Sequence, residues 1–345
     1  MPAEATLDTA TILAVDVGGT RARLALVRGS AIGRRSSYLT ADLAGPGRDV
    51  TDRLVDTACA LVDRAAEGEP IARPDGCPGA VGVSLGAAVD RLGSVIQPRE
   101  FGIPGGTRIR DAFAAAFDVP VAVDNDANLA ALAETRLGAA RGGRCVAVIT
   151  IGTNIGAGLV FDGLVHRGAH GAAGEAGLML VPAPTMRAAS GRFAMKDAGT
   201  LGMIPVGSID GMATLEQLVG GAALTAAAHD LGVATRAALS PDAVRDPRLE
   251  PVVDRAVEGW ALVIANLAVV LDLDTVVLTG SVAQDATHLL DRLRARVSEL
   301  VPFMPDIRLG SLGPDAELLG ADLIARAALD ERARQDAGAG LSAQQ

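Results

Sequence analysis

The sequence predicts an α/β protein, because short apolar, β-branched segments alternate with longer segments that have helical apolar spacing. Apolar runs such as Val121–Val123 are typical of buried strands. Asp49–Ala66 carries apolar residues at Leu54, Ala58 and Leu61, as on one face of a helix. Polar or glycine-rich residues follow several of the predicted strands directly, which is where α/β proteins place ligands.

The first half of the chain alternates between the two kinds of segment from Thr11 onwards. Gly93–Gly106 is rich in glycine and proline and is predicted to be a loop. The predicted strands are Thr11–Val15, Arg21–Val27, Val81–Leu85 and Val121–Val123, and the predicted helices are Asp49–Ala66, Thr107–Phe117 and an Ala/Leu-rich helix after Val123.

The second half repeats the alternation after a linker at Gly138–Arg144. Pro182–Met212 has little periodicity and is predicted to be an irregular excursion, and the tail after Arg334 is predicted to be disordered. The predicted strands are Val146–Ile151, Leu159–Phe161 and Thr275–Leu278, and the predicted helices are Thr214–Ala228, Asp254–Leu271, Asp285–Leu300 and Leu312–Asp330.

Composition excludes several classes of protein. The 345 residues allow two domains, and a net charge of −10 without a basic block argues against nucleic acid as the main partner. The longest apolar stretch, Trp260–Leu271, is too short to span a membrane. Scattered cysteines and the lack of a signal peptide predict a cytoplasmic protein. Lys196, the only lysine, lies in neither a P-loop nor a protein-kinase motif, which excludes both classes.

Four polar residues follow the strand Val121–Val123, where the Ala/Leu-rich helix begins. One Asn or Asp at this point caps a helix, because its side-chain oxygen accepts an orphan backbone N–H. A carboxylate there is also suited to act as a general base, and a neighbouring carboxamide can hold a hydroxyl. Capping explains one such residue and leaves the others to a functional role. The four residues are Asp124, Asn125, Asp126 and Asn128.

Two glycine-rich turns join pairs of predicted strands. In the first, Asp16–Thr20, the glycines Gly18 and Gly19 supply either positive φ or bare backbone that a phosphate can approach. Thr20 would add a hydroxyl, and Asp16 a site for Mg²⁺. The second turn, Gly152–Gly158, has three glycines together with Thr153 and Asn154, which is more than a plain turn needs. Two such turns suggest two related halves that grip one polyphosphate.

Two glutamates are further candidates. Glu175 lies between Gly174 and Ala176 in a glycine-rich segment, where a charged residue marks either a ligand pocket or a solvated turn. Glu216 lies near the start of the helix Thr214–Ala228, where it also complements the helix dipole.

In combination these motifs resemble the ROK family of sugar kinases, within the actin/hexokinase/Hsp70 ATPase superfamily. The resemblance runs from about Ile12 to Ala327. It rests on five motifs in the family's order: Asp16-Val17-Gly18-Gly19-Thr20, Asn125-Asp126-Ala127-Asn128, Gly152-Thr153-Asn154-Ile155-Gly156-Ala157-Gly158, Gly174-Glu175-Ala176-Gly177 and Leu319-Gly320-Ala321.

The resemblance implies an ATP-dependent kinase for the primary hydroxyl of a sugar, with Mg²⁺ as cofactor, and a homodimer. It implies a two-domain actin-like (ribonuclease H-like) fold with a cleft between the domains, residues 10–124 plus 321–335 and residues 125–320. Asp126 matches the catalytic base. The sugar ligands implied are Gly86, Asn125, Glu175 and Glu216; the ATP-binding residues implied are Asp16, which would hold Mg²⁺ through water, Gly18, Gly19, Thr20, Gly152, Thr153, Asn154, Gly156 and, for the adenosine, Gly280.

Two departures from the family pattern affect the expected acceptor. The family usually has a histidine that contacts the sugar and a zinc ion, and here that position is Leu178. Its zinc module of cysteines is also missing, because Pro182–Met212 contains no cysteine, so we expect no zinc. His170 either replaces the missing hydrogen bond or is an ordinary loop residue.

The sequence leaves three hypotheses about function. The first is a kinase for a hexose. The second is a kinase for an amino sugar of the kanosamine type or a C7-cyclitol from a secondary-metabolite pathway, which would suit a pocket with one polar contact fewer. The third is a catalytically silent sugar sensor. Repressors of the family carry a helix-turn-helix domain before the kinase-like part, and we expect none here because the first strand begins by Thr11.

Overall fold

The computed structural model describes residues 10–43, 49–66, 77–96, 102–182 and 212–342. The chain forms two compact units: unit 1 contains the residues up to Ala133 and those from Asp315 onwards, and unit 2 contains Glu134–Pro314. The excursion predicted after Pro182, with Lys196 in it, lies outside the described residues except at its two ends. The domain boundaries predicted at 124/125 and 320/321 stay a prediction.

Unit 1 is a five-stranded sheet with helices on both faces. The strand order is β3-β2-β1-β4-β5, in which β1, β4 and β5 are parallel and β2 and β3 are antiparallel to their neighbours. Its elements are β1 (Thr11–Val17), β2 (Arg21–Arg28), β3 (Ala31–Leu39), α1 (Thr40–Leu43), α2 (Val50–Ala66), β4 (Ala80–Leu85), α3 (Ile109–Phe117), β5 (Val121–Asn125), α4 (Asp126–Arg136, whose last turn enters unit 2) and α10 (Ala316–Ser342).

Unit 2 repeats this topology. Its larger sheet has the order β12-β11-β6-β7-β8, with β6, β11 and β12 parallel and β7 and β8 antiparallel to their neighbours. Its elements are β6 (Cys145–Ile151), β7 (Ile155–Phe161), β8 (Leu164–Val165), β9 (Leu180–Pro182), β10 (Met212–Thr214), α5 (Leu215–Val219), α6 (Gly221–Asp230), α7 (Glu250–Leu271), β11 (Thr275–Thr279), α8 (Ser281–Asp285), α9 (Leu290–Ser298) and β12 (Asp306–Leu309).

Each unit therefore begins with a β-hairpin around a glycine-rich turn and continues into parallel strands. The two halves suggested by the paired glycine turns are present as two sheets of the same topology. The ends of the predicted excursion pair with each other, because β9 and β10 form a short antiparallel ladder.

Several elements differ from the sequence prediction. The helix predicted over Thr214–Ala228 is broken into α5 and α6, where Gly220 has an extended backbone with ψ of 157°. The edge strand β3 was not predicted, because its largely exposed residues lack an apolar pattern. The tail predicted to be disordered after Arg334 continues α10 to Ser342. No helix among the described residues is long and apolar enough to cross a membrane.

Strand alternation in β1 decides which side chains face the site. Leu13, Val15 and Val17 pack in the core cluster that contains α2 and α3, so the residues between them face the opposite side of the sheet. On that side Ala14 packs in a cluster with Ala321 of α10. This alternation directs Asp16, the polar member of the second set, towards the α10 side.

Candidate active site

The polar residues after β5 occupy the start of α4. The Asn125 Oδ1 atom accepts the backbone N–H groups of Ala127 and Asn128 at 3.0 and 3.3 Å, so Asn125 caps the helix. Its Nδ2 atom donates to the carbonyl oxygen of Ala87 at 3.3 Å. Asp126, the first residue of α4, is half-buried, and its Oδ1 atom accepts the Ala127 N–H at 2.8 Å.

Asp124 and Asn128 stabilise this turn through hydrogen bonds. Both side chains are buried. The Asp124 Oδ1 atom accepts the backbone N–H of Asn125 at 2.8 Å and the Nδ2 group of Asn128 at 2.9 Å. Local hydrogen bonds thus involve all four polar residues, and Asp126 is the half-buried carboxylate among them.

A row of buried polar residues crosses the three parallel strands. Asp16 of β1, Ser84 of β4 and Asp124 of β5 are in register with one another, and each is the last residue but one of its strand. The Ser84 hydroxyl donates to the Asp16 Oδ1 atom at 2.8 Å. The carboxyl edge of the sheet is where open α/β folds bind ligands.

Gly86 is the point at which Asp126 and the first glycine turn meet. A Cβ atom built on Gly86 would lie 3.3 Å from the Asp126 Oδ2 atom and 3.7 Å from the Cα atom of Gly18. The Gly86 N–H also donates to the carbonyl oxygen of Val17 at 2.9 Å. Unit 1 therefore brings three predicted site residues to one place.

The first glycine turn does not need glycine for its own conformation. Neither Gly18 nor Gly19 has a positive φ, so the alternative that they merely supply left-handed backbone is wrong. A Cβ atom on Gly19 would meet no protein atom within 4 Å. Thr40 holds the turn, because its Oγ1 atom donates to the Gly18 carbonyl at 2.8 Å and its N–H to the Thr20 carbonyl at 3.0 Å. The turn presents open, braced backbone.

Asp16 takes part in an ion network that the sequence did not predict. Arg23 lies opposite it in the β1–β2 register, and its Nε and Nη2 groups donate to the Asp16 Oδ2 atom at 2.9 and 2.7 Å. The same Nη2 group donates to the Oε2 atom of Glu317, in the first turn of α10, at 3.1 Å. Burial, with the nearby Asp16 carboxylate, raises the pKa of Glu317 to about 7.

The second glycine turn lies in unit 2 between β6 and β7. Gly152 does not have a positive φ, and a Cβ atom there would meet nothing within 4 Å. Thr153 and Asn154 are exposed. The start of α6 supports the turn, because the N–H groups of Gly221 and Ala222 donate to the carbonyl oxygens of Gly152 and Thr153 at 2.9 and 3.3 Å. Gly156 is the second residue of the return strand β7.

Unit 2 also brings the two candidate glutamates to neighbouring elements. Glu175 immediately precedes a short 3₁₀ helix, Ala176–Leu178. A Cβ atom on Gly177 of this helix would lie 2.9 Å from the Oε2 atom of Glu216 in α5. Glu175 and Glu216 are both half-buried.

Leu178 ends the same 3₁₀ helix, and its N–H donates to the Glu175 carbonyl at 3.0 Å. Leu178 is half-buried, whereas His170 is exposed. The position that departs from the family pattern thus belongs to the turn that carries Glu175.

Gly280 has a structural reason for its identity. It follows β11 with a φ of +92°, and a Cβ atom there would lie 2.5 Å from the carbonyl oxygen of Ile151. The fold alone therefore requires glycine at this position, and its role towards adenosine stays a prediction.

Three contributors to the unit 1 site were missed at the sequence level. Ser84 could have been found, because it is a polar residue at the end of the otherwise apolar predicted strand Val81–Leu85. Arg23 could have been found only by pairing the two strands of the first hairpin. Glu317 carries no sequence signal, because it is 294 positions from Arg23 and meets it through packing of the last helix.

The fold and these motifs define a class of α/β protein with two like sheets, each carrying a glycine turn. The chain belongs to the ROK family, whose family model matches residues 12–328. It is 30% identical over 323 residues to the bifunctional enzyme NanE/NanK of Brucella suis, covering 91% of this chain and 53% of that protein. The chain thus spans about half the length of that relative.

Other relatives are covered more fully. The N-acetyl-D-glucosamine kinase of Photobacterium profundum is 30% identical over 279 residues, which cover 78% of this chain and 83% of that protein. The ROK hexokinase of Thermus thermophilus superimposes with a TM-score of 0.69 at 27% identity, covering 93% and 99% of the two chains.

A ROK family glucokinase from Streptomyces griseus, solved with glucose and AMPPNP, has a TM-score of 0.69 at 24% identity and covers 92% of this chain and 99% of its own. These comparisons confirm the α/β fold class and the family predicted from the sequence.

Proposed function

We propose that this protein transfers the γ-phosphoryl group of ATP to a hydroxyl, preferably the primary one, of a hexose or hexose-like acceptor. The observation that carries the proposal is the convergence of the Asp126 carboxylate and the open glycine turn on Gly86. Phosphoryl transfer needs a base at the attacking hydroxyl and backbone that phosphate can approach, and Asp126 and the first glycine turn of unit 1 would supply both. The family membership and the kinase names of the relatives support it.

Asp126 would accept the proton of the attacking hydroxyl. Its place on the first residue of a braced helix fixes the carboxylate, which favours the positioning that phosphoryl transfer depends on. Unit 2 would contribute the second glycine turn for phosphate and the Glu175 and Glu216 carboxylates for acceptor hydroxyls.

Mg²⁺ fits the residues of unit 1. Mg²⁺ prefers oxygen ligands, keeps several waters, and is usually held by one or two carboxylates together with substrate phosphates. Asp16 offers one buried carboxylate at the edge of the sheet, and the described residues contain no cluster of three or more potential protein ligands. Asp16 would hold the metal through water, and the metal would neutralise phosphate charge. A reaction that consumes ATP also suits the predicted cytoplasmic location.

Leu178 bears on which acceptor is used. Where the family usually has a histidine that contacts the sugar, this chain has a leucine, so the acceptor would receive one polar contact fewer. An amino sugar or a C7-cyclitol is the candidate it favours beside a plain hexose. ADP release with Mg·ATP should be measured against glucose, mannose, glucosamine, kanosamine, N-acetylglucosamine, N-acetylmannosamine and valiolone-type cyclitols. Turnover on any of these supports the kinase, and the best acceptor identifies the class. No turnover, with nucleotide binding intact, would instead support a sugar sensor.

We expect Leu178→His to raise kcat/KM for glucose relative to the best wild-type acceptor. A hydrogen bond is worth ~0.5–1.5 kcal/mol, which corresponds to roughly a 2- to 12-fold change. Leu180→His is the matched control, because Leu180 is an exposed residue of β9 two positions later, and this variant should leave the ratio unchanged. Equal ratios in Leu178→His and wild type would remove Leu178 from the specificity argument.

We expect Gly19→Val to weaken ATP binding without a change in thermal stability. The new side chain meets no protein atom near its Cβ, so the apoprotein tolerates it, but it projects where phosphate must approach bare backbone. Calorimetric titration with a non-hydrolysable ATP analogue measures the first effect and a melting curve the second. Unchanged nucleotide affinity would show that the first glycine turn does not bind phosphate.

A further inference from the structure

The ion network of unit 1 joins two carboxylates to one guanidinium. Arg23 donates twice to a single oxygen of Asp16 and once to Glu317. The side chains of Asp16, Arg23 and Glu317 are 6%, 25% and 18% exposed, so these charges are only partly screened by solvent. The network has a formal charge of −1 when Glu317 is ionised.

The neighbourhood adds further negative charge. Asp126 lies near enough for its charge to act on Glu317. With Asp126 included and Glu317 ionised, the group has a formal charge of −2 around one arginine. A part-buried group with excess negative charge attracts a divalent cation and repels a free polyphosphate.

Arg23 and a metal ion compete for the same carboxylate. The guanidinium engages the Asp16 Oδ2 atom through both donors, and the Oδ1 atom also accepts from Ser84. The fixed positive charge of Arg23 would repel a hydrated Mg²⁺ ion at Asp16 unless another anion offsets that charge. Glu317 is that anion, because it binds the same guanidinium nitrogen.

We propose that Glu317 is a positioning residue for magnesium–nucleotide binding, which acts by sharing the Arg23 guanidinium with Asp16. This inference rests on the proposed function, since it concerns the Mg²⁺ that accompanies ATP. Glu317 offsets the charge of Arg23 so that Asp16 can accept a hydrogen bond from a metal-bound water. Arg23 keeps Asp16 in place when no metal is present.

The proposal predicts opposite effects for the two partners. The measured quantity is the ratio of the dissociation constants of AMPPNP without and with Mg²⁺, each determined by calorimetric titration of the full chain at a pH above about 8, where Glu317 is ionised. Glu317→Gln removes a negative charge, which weakens binding of the metal complex and relieves repulsion of the free nucleotide, so the ratio falls. Arg23→Gln removes a positive charge, and the ratio rises. We expect each change to be about 3- to 10-fold for part-exposed charges.

The matched control lies on the same helix. Asp322 pairs with Arg326 at 2.9 Å in α10, and these side chains are 5% and 15% exposed, similar to the network. This pair is near the other end of the sheet, because Arg326 Nη2 donates to the carbonyl oxygens of Ala10 and Gly29. Asp322→Asn therefore removes a comparable ion pair and should leave the ratio unchanged.

The outcomes separate the inference from the proposed function. A lower ratio in Glu317→Gln with the wild-type ratio in Asp322→Asn supports the inference, and it does so even if Arg23→Gln fails to fold. Equal loss of affinity with and without Mg²⁺ in Glu317→Gln would mean a purely structural role and overturn it. Failure of the wild-type protein to bind AMPPNP at any Mg²⁺ concentration would instead overturn the proposed function.

Discussion

Asp126→Asn should reduce kcat by roughly 10²- to 10⁴-fold, the usual contribution of a general base, while the protein still binds nucleotide. The carboxamide keeps the size of the side chain and can still accept the Ala127 N–H through its oxygen, so the start of α4 should survive. What is lost is the anion that removes the hydroxyl proton. The measurements are steady-state ADP release with the best acceptor and calorimetric binding of AMPPNP.

The matched control is Asp111→Asn. Asp111 is an exposed residue of α3 in the same unit, and its pairing with Arg108 is on the surface. This variant loses the same charge and should keep wild-type kcat. A kcat near the wild-type value in Asp126→Asn would exclude Asp126 as the base and leave the supported turn after β5 without a catalytic role.

Gly82→Ala should lower the free energy of unfolding by about 1–3 kcal/mol, the usual cost of overpacking. A Cβ atom on Gly82 of β4 would overlap the backbone carbonyl of Ala321 in α10. Because the position of a Cβ atom is fixed by its own backbone and the atoms it meets are backbone, no change of rotamer relieves the overlap, and α10 has to move away from the sheet. The corresponding fall in Tm, measured by scanning calorimetry, is about 2–4 °C per kcal/mol for a unit of this size.

Gly19→Ala is the control for this change. It also adds one methyl group to a glycine of unit 1, but into open space, so Tm should stay within about 1 °C of the wild-type value by the same conversion. If Gly82→Ala melted like Gly19→Ala, the close approach of α10 to β4 would not contribute to stability.

The sequence was sufficient for elements with a strong local pattern. The apolar strands β1, β5 and β6 were predicted because they are buried throughout most of their length. The exposed edge strand β3 and the four-residue β12 lack that pattern. The break at Gly220 was missed because the break is stabilised by Trp260, whose Nε1 group donates to the Val219 carbonyl at 3.2 Å, and by the contact of Gly221 with the second glycine turn.

At the site, the local motifs identified which residues to consider, but they did not reveal the structural reason for each residue. The capping hypothesis holds for Asn125, and the positive-φ hypothesis fails for Gly18 and Gly19. Leu319-Gly320-Ala321, which contributes to the family resemblance, has a packing role: a Cβ atom on Gly320 would overlap the carbonyl of Leu129 in α4. No local pattern could reveal Glu317, since its partner is brought to it only by the completed fold.

The division of the chain between the two units has a consequence for biosynthesis. Unit 2 is one continuous stretch, whereas unit 1 depends on α10, which is translated after all of unit 2. Until residues 316–342 leave the ribosome, Ile12, Ala14 and Ala80 have no helix over their side of the sheet. All of unit 2 is therefore available to fold around its own core before α10 is made, whereas the unit that holds Asp126 is incomplete until α10 follows.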